Sequence, residues 1–98
     1  MAQQAIWVML KAKPGKEADV EAFLKQGAEM SKAEAGTVTW YGVKMGPGVY
    51  GVFDTFADEA GRDAHLNGEI AKALMASADE LFAEPPQINK ITIIAEKI

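Results

Sequence analysis

The hydrophobic periods of this chain predict an α+β domain, an antiparallel sheet with helices packed on one side of it. Three observations carry the expectation. Apolar, β-branched runs of strand length lie at 5–10, 37–45, 49–56 and 87–95. Stretches with a helical apolar stripe separate the first run from the second and the third from the fourth. Only Gly46-Pro47-Gly48 separates the second run from the third, which is a hairpin signal. The order strand, helix, strand, strand, helix, strand is that of two βαβ halves, a ferredoxin-like sandwich. The 98 residues read as one domain spanning 1–98. A chain of this size buries only roughly 60–65% of its unfolded surface, so pairing with another copy would add core.

Taken in order, Ala5-Ile6-Trp7-Val8-Met9-Leu10 is apolar at consecutive positions, as in a strand covered on both faces, and Pro14-Gly15 bounds it. From Lys16 the period changes. Val20, Phe23, Leu24, Gly27 and Met30 form one helical stripe, with Glu17, Asp19 and Glu21 near the start, where the helix dipole favours acids. Gly36 is the expected stop. Gly27 lies inside the stripe at a cost of about 1 kcal/mol against alanine, which points to close packing of that turn on the sheet. Thr37 to Met45 and Val49 to Phe56 are the hairpin strands. Asp58 suits the N-cap of a second helix. Its later half carries the stripe Ile70, Ala71, Leu74, Met75, Ala78, Leu81 and Phe82, and Asn67-Gly68 predicts a break in the middle. Pro85-Pro86 ends it, and Gln87 to Ala95 is the last strand.

Composition excludes several classes of function. The chain is 49% hydrophobic, 24% charged and 8% aromatic, which fits neither disorder nor a coiled coil. Its net charge is −4 without a Lys/Arg cluster, so nucleic acid is not an expected partner. There is no cysteine, hence no disulfide, thiolate nucleophile or zinc–thiolate site. The single histidine, His65, excludes a site needing two imidazoles from one chain. No apolar run approaches the roughly 20 residues of a membrane helix, and Met1-Ala2-Gln3-Gln4 lacks the basic start of a secretion signal. The expected place is the cytoplasm.

Two helices cover one face of a four-stranded sheet. Yet Trp7 and Met9 alternate with Ile6, Val8 and Leu10, Phe53 with Val52, and Ile88 and Ile94 with Ile91 and Ile93. Both faces are apolar, and an uncovered face of that kind predicts a homodimer packed sheet against sheet. A longer partner of another kind is the alternative.

No strong catalytic motif is present by spacing alone. Gly46-Pro47-Gly48 is no phosphate cradle, because proline removes an amide. The candidates are His65, near neutrality in its unperturbed pKa, and Asp54, on the same strand face as Tyr50, where burial would make it a base. Trp40, Tyr50 and Asn67 are candidates for binding a small aromatic ligand through an indole N–H, a phenol O–H and an amide. Each has a plainer reading. His65 extrapolates to the solvent side of a straight helix, about 180° from Leu74. Trp40, Tyr50 and Trp7 could be core or dimer packing, Asn67 a turn residue, Asp54 an edge or dimer-contact acid, and Arg62 an exposed cation.

Phe56-Ala57-Asp58-Glu59-Ala60-Gly61-Arg62-Asp63-Ala64-His65-Leu66 resembles the start of the second helix in the antibiotic biosynthesis monooxygenase domain family. Lys13-Pro14-Gly15-Lys16-Glu17 resembles that family's first loop, and Glu84-Pro85-Pro86 before an isoleucine-rich strand also fits. The resemblance covers essentially the whole chain and is specific for the family more than for a reaction. It implies a dimeric α/β barrel of two ferredoxin-like protomers and cofactor-free oxygenation of an electron-rich phenol or quinol. The haem-degrading members' histidine and asparagine have no counterpart in Ala73-Leu74-Met75 or in Ala5 to Lys13. The reading is therefore a monooxygenase without metal or other cofactor, with His65 or Asp54 as base and Trp40 and Tyr50 flooring the pocket. A non-catalytic ligand-binding or stress-response module, and a cofactor-free isomerase or decarboxylase, are the alternatives.

Overall fold

The structure, a computed structural model, describes residues 3–98. Its elements are β1 (Gln4–Lys11), α1 (Glu17–Ser31), β2 (Thr37–Gly46), β3 (Val49–Phe56), α2 (Glu59–Leu66), α3 (Glu69–Leu81) and β4 (Gln87–Thr92). The four strands form one antiparallel sheet in the order β2-β3-β1-β4. This is the ferredoxin-like α+β arrangement, with the second helix in two parts. Among the described residues no helix is long and apolar enough to cross a membrane.

The central β1–β3 pairing fixes the faces. Ile6 lies opposite Asp54, Val8 opposite Val52 and Leu10 opposite Tyr50, and all six are buried. This face meets Val20 and Leu24 of α1 and Leu74 and Leu81 of α3 in the core. Each such apolar side chain contributes about 1.5–3 kcal/mol on burial. On the other face Trp7 pairs with Phe53, and Phe53 with Tyr41, so an aromatic row crosses three adjacent strands. Among the described residues no helix covers that row. Trp7 and Phe53 are half-buried, while Tyr41 and Met45 are more than half exposed. Gly51 makes room within it: a Cβ there would stand 2.5 Å from the Trp7 ring.

The turns follow from residue chemistry. Gly15 and Gly48 take φ of +87° and +73°, the region that favours glycine, in the first loop and the hairpin. Asp58 caps α2 by accepting a 2.7 Å hydrogen bond from the Gly61 N–H. Helix α2 ends at Leu66 and α3 begins at Glu69, so the expected break at Asn67-Gly68 is real. Gly27 packs under an aromatic ring, its Cβ position lying 3.0 Å from two atoms of Trp40.

Two expected boundaries move. Helix α1 stops at Ser31 rather than Gly36, through a turn in which Ala33 N–H donates to Met30 O and Glu34 N–H to Ser31 O. Gly36 serves the approach of two backbones instead, since a Cβ on it would lie 2.7 Å from Gly61 Cα. Strand β4 ends at Thr92 rather than Ala95. The register with β1 runs to Gln4 opposite Thr92, and one further bond, Ile93 N–H to Gln3 O at 2.7 Å, follows it.

Candidate active site

His65 does not face solvent. The extrapolation from Leu74 assumes one straight helix, and the break at Asn67-Gly68 re-aims the second half, so the two residues need not lie on opposite sides. The imidazole is buried under the sheet between two carboxylates. Its Nδ1–H donates to Glu34 Oε1 at 2.7 Å. Its Nε2 lies 3.0 Å from Asp54 Oδ2, at ion-pair distance. The Phe56 ring backs it, with centroids 5.2 Å apart.

Each element brings its group for a local reason. Asp54 points to the helix side because β3 alternates, which also buries Tyr50, Val52 and Phe56. His65 sits in the last turn of α2, where the helix dipole favours a cation. Glu34 reaches it from the α1–β2 loop because Gly36 and Gly61 let the loop lie against α2. A Cβ on Gly61 would stand 2.8 Å from Gly36 O, and Ala57 N–H donates to that same carbonyl at 3.1 Å. Thr37 Oγ1 donates to Glu34 Oε1 at 2.8 Å and holds it.

Burial alone would push the His65 pKa down. The hydrogen bonds and negative charges of Asp54 and Glu34 outweigh it and raise the pKa above the ordinary 6.5. The two carboxylates occupy opposite nitrogens of the ring and do not converge on one point. Among the described residues no three or more carboxylate, imidazole or thiol groups have a metal-holding arrangement.

Asp54 and His65 line an internal cavity of about 40 Å³ whose other walls are apolar, among them Ile6, Val8, Val52, Ile70 and Leu74. Phe23, Ala71 and Ile88, all partly exposed, form its outer side. Trp40, opposite Asp54 in the β2–β3 register, is a further wall. Its indole Nε1 and Asp54 Oδ1 are buried without hydrogen-bond partners among the described residues. Leaving such groups unmet costs about 1–3 kcal/mol each. A hydroxyl satisfies both kinds at once, accepting from an N–H and donating to a carboxylate.

The other candidates separate. Tyr50 shares the sheet face but not the cavity of Asp54 and His65; Trp40 lines that cavity and, together with Tyr50, a second hollow. Tyr50 opens on this hollow between α1 and β2, about 250 Å³, with Glu21, Lys25 and Lys44. Its hydroxyl donates to Glu21 Oε2 at 2.6 Å. That bond first, then burial and the charges of Glu21 and Glu17, pushes its pKa up to about 12. Glu21 is lowered in return, first by the same hydrogen bond and then by Lys44 and Lys25. Asn67 does not join the site either. It is exposed at the end of α2, and its amide donates to Asp63 O at 2.9 Å, which is the turn role. Arg62, expected exposed, is buried, donating to Ala5 O at 3.4 Å and Ile91 O at 3.1 Å. Glu34 was not among the candidates. No local pattern in Lys32-Ala33-Glu34-Ala35 marks it, because its partner is a long-range contact.

No family model and no curated protein matches the chain. Solved structures do. One from Nitrosomonas europaea, described as a protein of unknown function, is 51% identical with a TM-score of 0.95, covering 100% of this chain and 95% of its own. Two others carry provisional names as antibiotic biosynthesis monooxygenases. The one from Nitrosomonas europaea has a TM-score of 0.83 at 14% identity, covering 94% of this chain and 90% of its own. The one from Caulobacter crescentus has a TM-score of 0.79 at 23% identity, covering 96% and 92%. At those identities the likeness is one of fold.

Proposed function

The chain belongs to the family of the Nitrosomonas europaea protein of unknown function with which it shares 51% identity, and from there we propose a cytoplasmic, homodimeric, cofactor-independent monooxygenase that oxidises a small phenol or quinol with dioxygen. The observation that carries this reading is the buried Asp54 carboxylate beside His65, opening on an apolar cavity that it shares with the unpartnered Trp40 indole. The names carried by two structures of the same fold support it.

The cavity has room for a hydroxyl and not for an aromatic ring. The substrate ring therefore lodges toward Phe23, Ala71 and Ile88, with its hydroxyl inward between Trp40 and Asp54. Trp40 Nε1–H donates to the hydroxyl oxygen, and Asp54 takes its proton, sharing it with His65. The electron pair of the broken O–H bond stays on the substrate oxygen. The Trp40 N–H stabilises that oxyanion, and the apolar walls keep water from it. The electron-rich anion passes one electron to dioxygen. The two radicals join in a new C–O bond at a ring carbon that carries hydrogen. The O–O bond then breaks as the stored proton reaches the outer oxygen and the carbon gives up its C–H proton, whose electron pair becomes the C=O bond. The ring is left a quinone, and the outer oxygen departs as water with both protons.

The dimer completes the protomer by covering the Trp7–Phe53–Tyr41 row. In a single chain that row leaves large apolar side chains in water.

The experiment is oxygen uptake by metal-free protein with a panel of phenols and quinols, using labelled dioxygen. Uptake with label in the product, lost in His65→Ala and Asp54→Ala, supports the proposal. Turnover without label turns the same acid–base pair toward an isomerase or decarboxylase. Ligand binding without turnover makes the protein a binding module.

A further inference from the structure

Glu34 lies on neither a helix nor a strand, yet it is held at every point. Its carboxylate accepts from His65 Nδ1–H and Thr37 Oγ1–H at 2.7 and 2.8 Å. Its backbone N–H donates to Ser31 O at 3.0 Å, and its carbonyl accepts from Thr37 N–H at 3.2 Å. The side chain is about four-fifths buried. It is also where the cluster meets solvent. A groove of about 520 Å³ runs outside Glu34 and His65, between the α1–β2 loop and the α2–α3 junction, while the small cavity lies inside His65 and Asp54. The imidazole thus stands between an interior and an exterior space, with one carboxylate on each side.

We propose that Glu34 is a positioning residue for the proton transfer: it fixes the proton of neutral His65 on Nδ1, turns Nε2 toward Asp54, and makes the three groups a store for the one proton the substrate gives up. An ionised carboxylate only accepts hydrogen bonds, so the Nδ1 position must carry the proton while Glu34 is charged. Asp54 makes the same demand on Nε2 from 3.0 Å, so the ring is an imidazolium at low pH; when it gives up one proton, the shorter 2.7 Å bond to Glu34 keeps the Nδ1 proton and the bare Nε2 faces Asp54. A proton arriving at Asp54 moves to Nε2 and leaves an imidazolium flanked by two carboxylates, in the helix-end position that favours a cation. The same proton returns along the same route when reduced oxygen leaves as water, so none is gained or lost over the cycle.

The other charged groups nearby are engaged elsewhere. Arg62, one turn earlier on α2, is turned to the carbonyls of Ala5 and Ile91. Asp63 pairs with Lys90 at 3.8 Å. Glu69 of α3 lines the groove, pairs with Lys72 at 3.6 Å and is exposed. Among the described residues Asp54 and Glu34 are the charges that touch the ring.

The inference rests on the oxygenase reading for its purpose, but its test does not. The chain holds one histidine, so nitrogen and carbon NMR of labelled protein reads its tautomer and titration without ambiguity. Wild type is expected in the Nδ1–H form at high pH, titrating above 6.5. Glu34→Gln keeps the shape and loses the charge, and is expected to lower the ring pKa and to mix the tautomers. Thr37→Val, which removes only the hydroxyl on Glu34, moves both in the same direction by less, and serves if Glu34→Gln does not fold. The low-pH limb of oxygen uptake should shift down by the same amount in Glu34→Gln, with KM unchanged. An unchanged tautomer and titration in both variants overturns the proposal. A normal NMR response with no oxygen uptake by wild type overturns the oxygenase reading and leaves the hold of Glu34 on His65 standing.

Discussion

His65 and Asp54 meet at 3.0 Å under the sheet, one from the end of a short helix and one from the middle of a strand. Asp54 is fully buried, and the ring 3.0 Å from its Oδ2 is what makes a carboxylate tolerable there. The pair therefore bears on stability as well as chemistry.

Stability should fall with rising pH because of His65. Its folded pKa is raised above the unfolded value near 6.5, so its contribution is full below that value and is lost as pH climbs through the folded pKa. Urea midpoints measured across this range for wild type and His65→Gln should differ in slope, the variant lacking the decline. Parallel curves would refute the linkage.

Tyr50 should ionise late. With Tyr41→Phe removing the other tyrosine, ultraviolet titration should give a midpoint near 12. Glu21→Gln should bring it back toward 10, because the hydrogen bond to the carboxylate is the first cause of the shift. The sign is that of a group raised in the fold: its stabilising effect persists below about 10 and disappears as pH passes about 12.

Gly61→Ala should destabilise although alanine is the better helix former. The gain in propensity is about 1 kcal/mol. Against it stands a Cβ placed 2.8 Å from the Gly36 carbonyl, an overpacking of backbone that costs about 1–3 kcal/mol. The loop must retreat, and the Glu34–His65 hydrogen bond should lengthen with it, visible in the histidine NMR signals. Gly46→Ala, which meets nothing within 4 Å, is the control and should stay within about 0.5 kcal/mol.

Self-association should depend on the aromatic row of the uncovered face. Sedimentation of wild type should give two chains at micromolar concentration. Phe53→Asp, at the middle of the Trp7–Phe53–Tyr41 row, should give one chain that keeps its helix signal. A wild type that sediments as one folded chain would remove the dimer.

Leu74→Ala should cost about 2–5 kcal/mol and enlarge the cavity beside Asp54. Larger phenols should then bind better relative to small ones, measured by the ratio of kcat/KM values.

Local chemistry is enough for much of this molecule. The β-branched runs, the stripes of α1 and α3, the Asp58 cap, the turns at Gly15 and Gly48 and the Asn67-Gly68 break all follow from interactions within a few residues, and they appear where such interactions place them apart from the ends of α1 and β4. Strand alternation likewise put Asp54 and Tyr50 on one face. What had to wait for the tertiary structure was every relation set by packing between distant segments. With both sheet faces apolar, nothing in the alternation says which one the helices cover. The turn of α3 away from α2 decides that His65 is inside, and helix α1 decides that Tyr50 opens on a different hollow from Asp54. The contact of Gly36 with Gly61 brings Glu34 to the ring from a loop with no pattern of its own. Secondary structure answers to neighbours in the chain, whereas a buried charge cluster answers to the cost of leaving each charge unpaired once packing has brought the segments together.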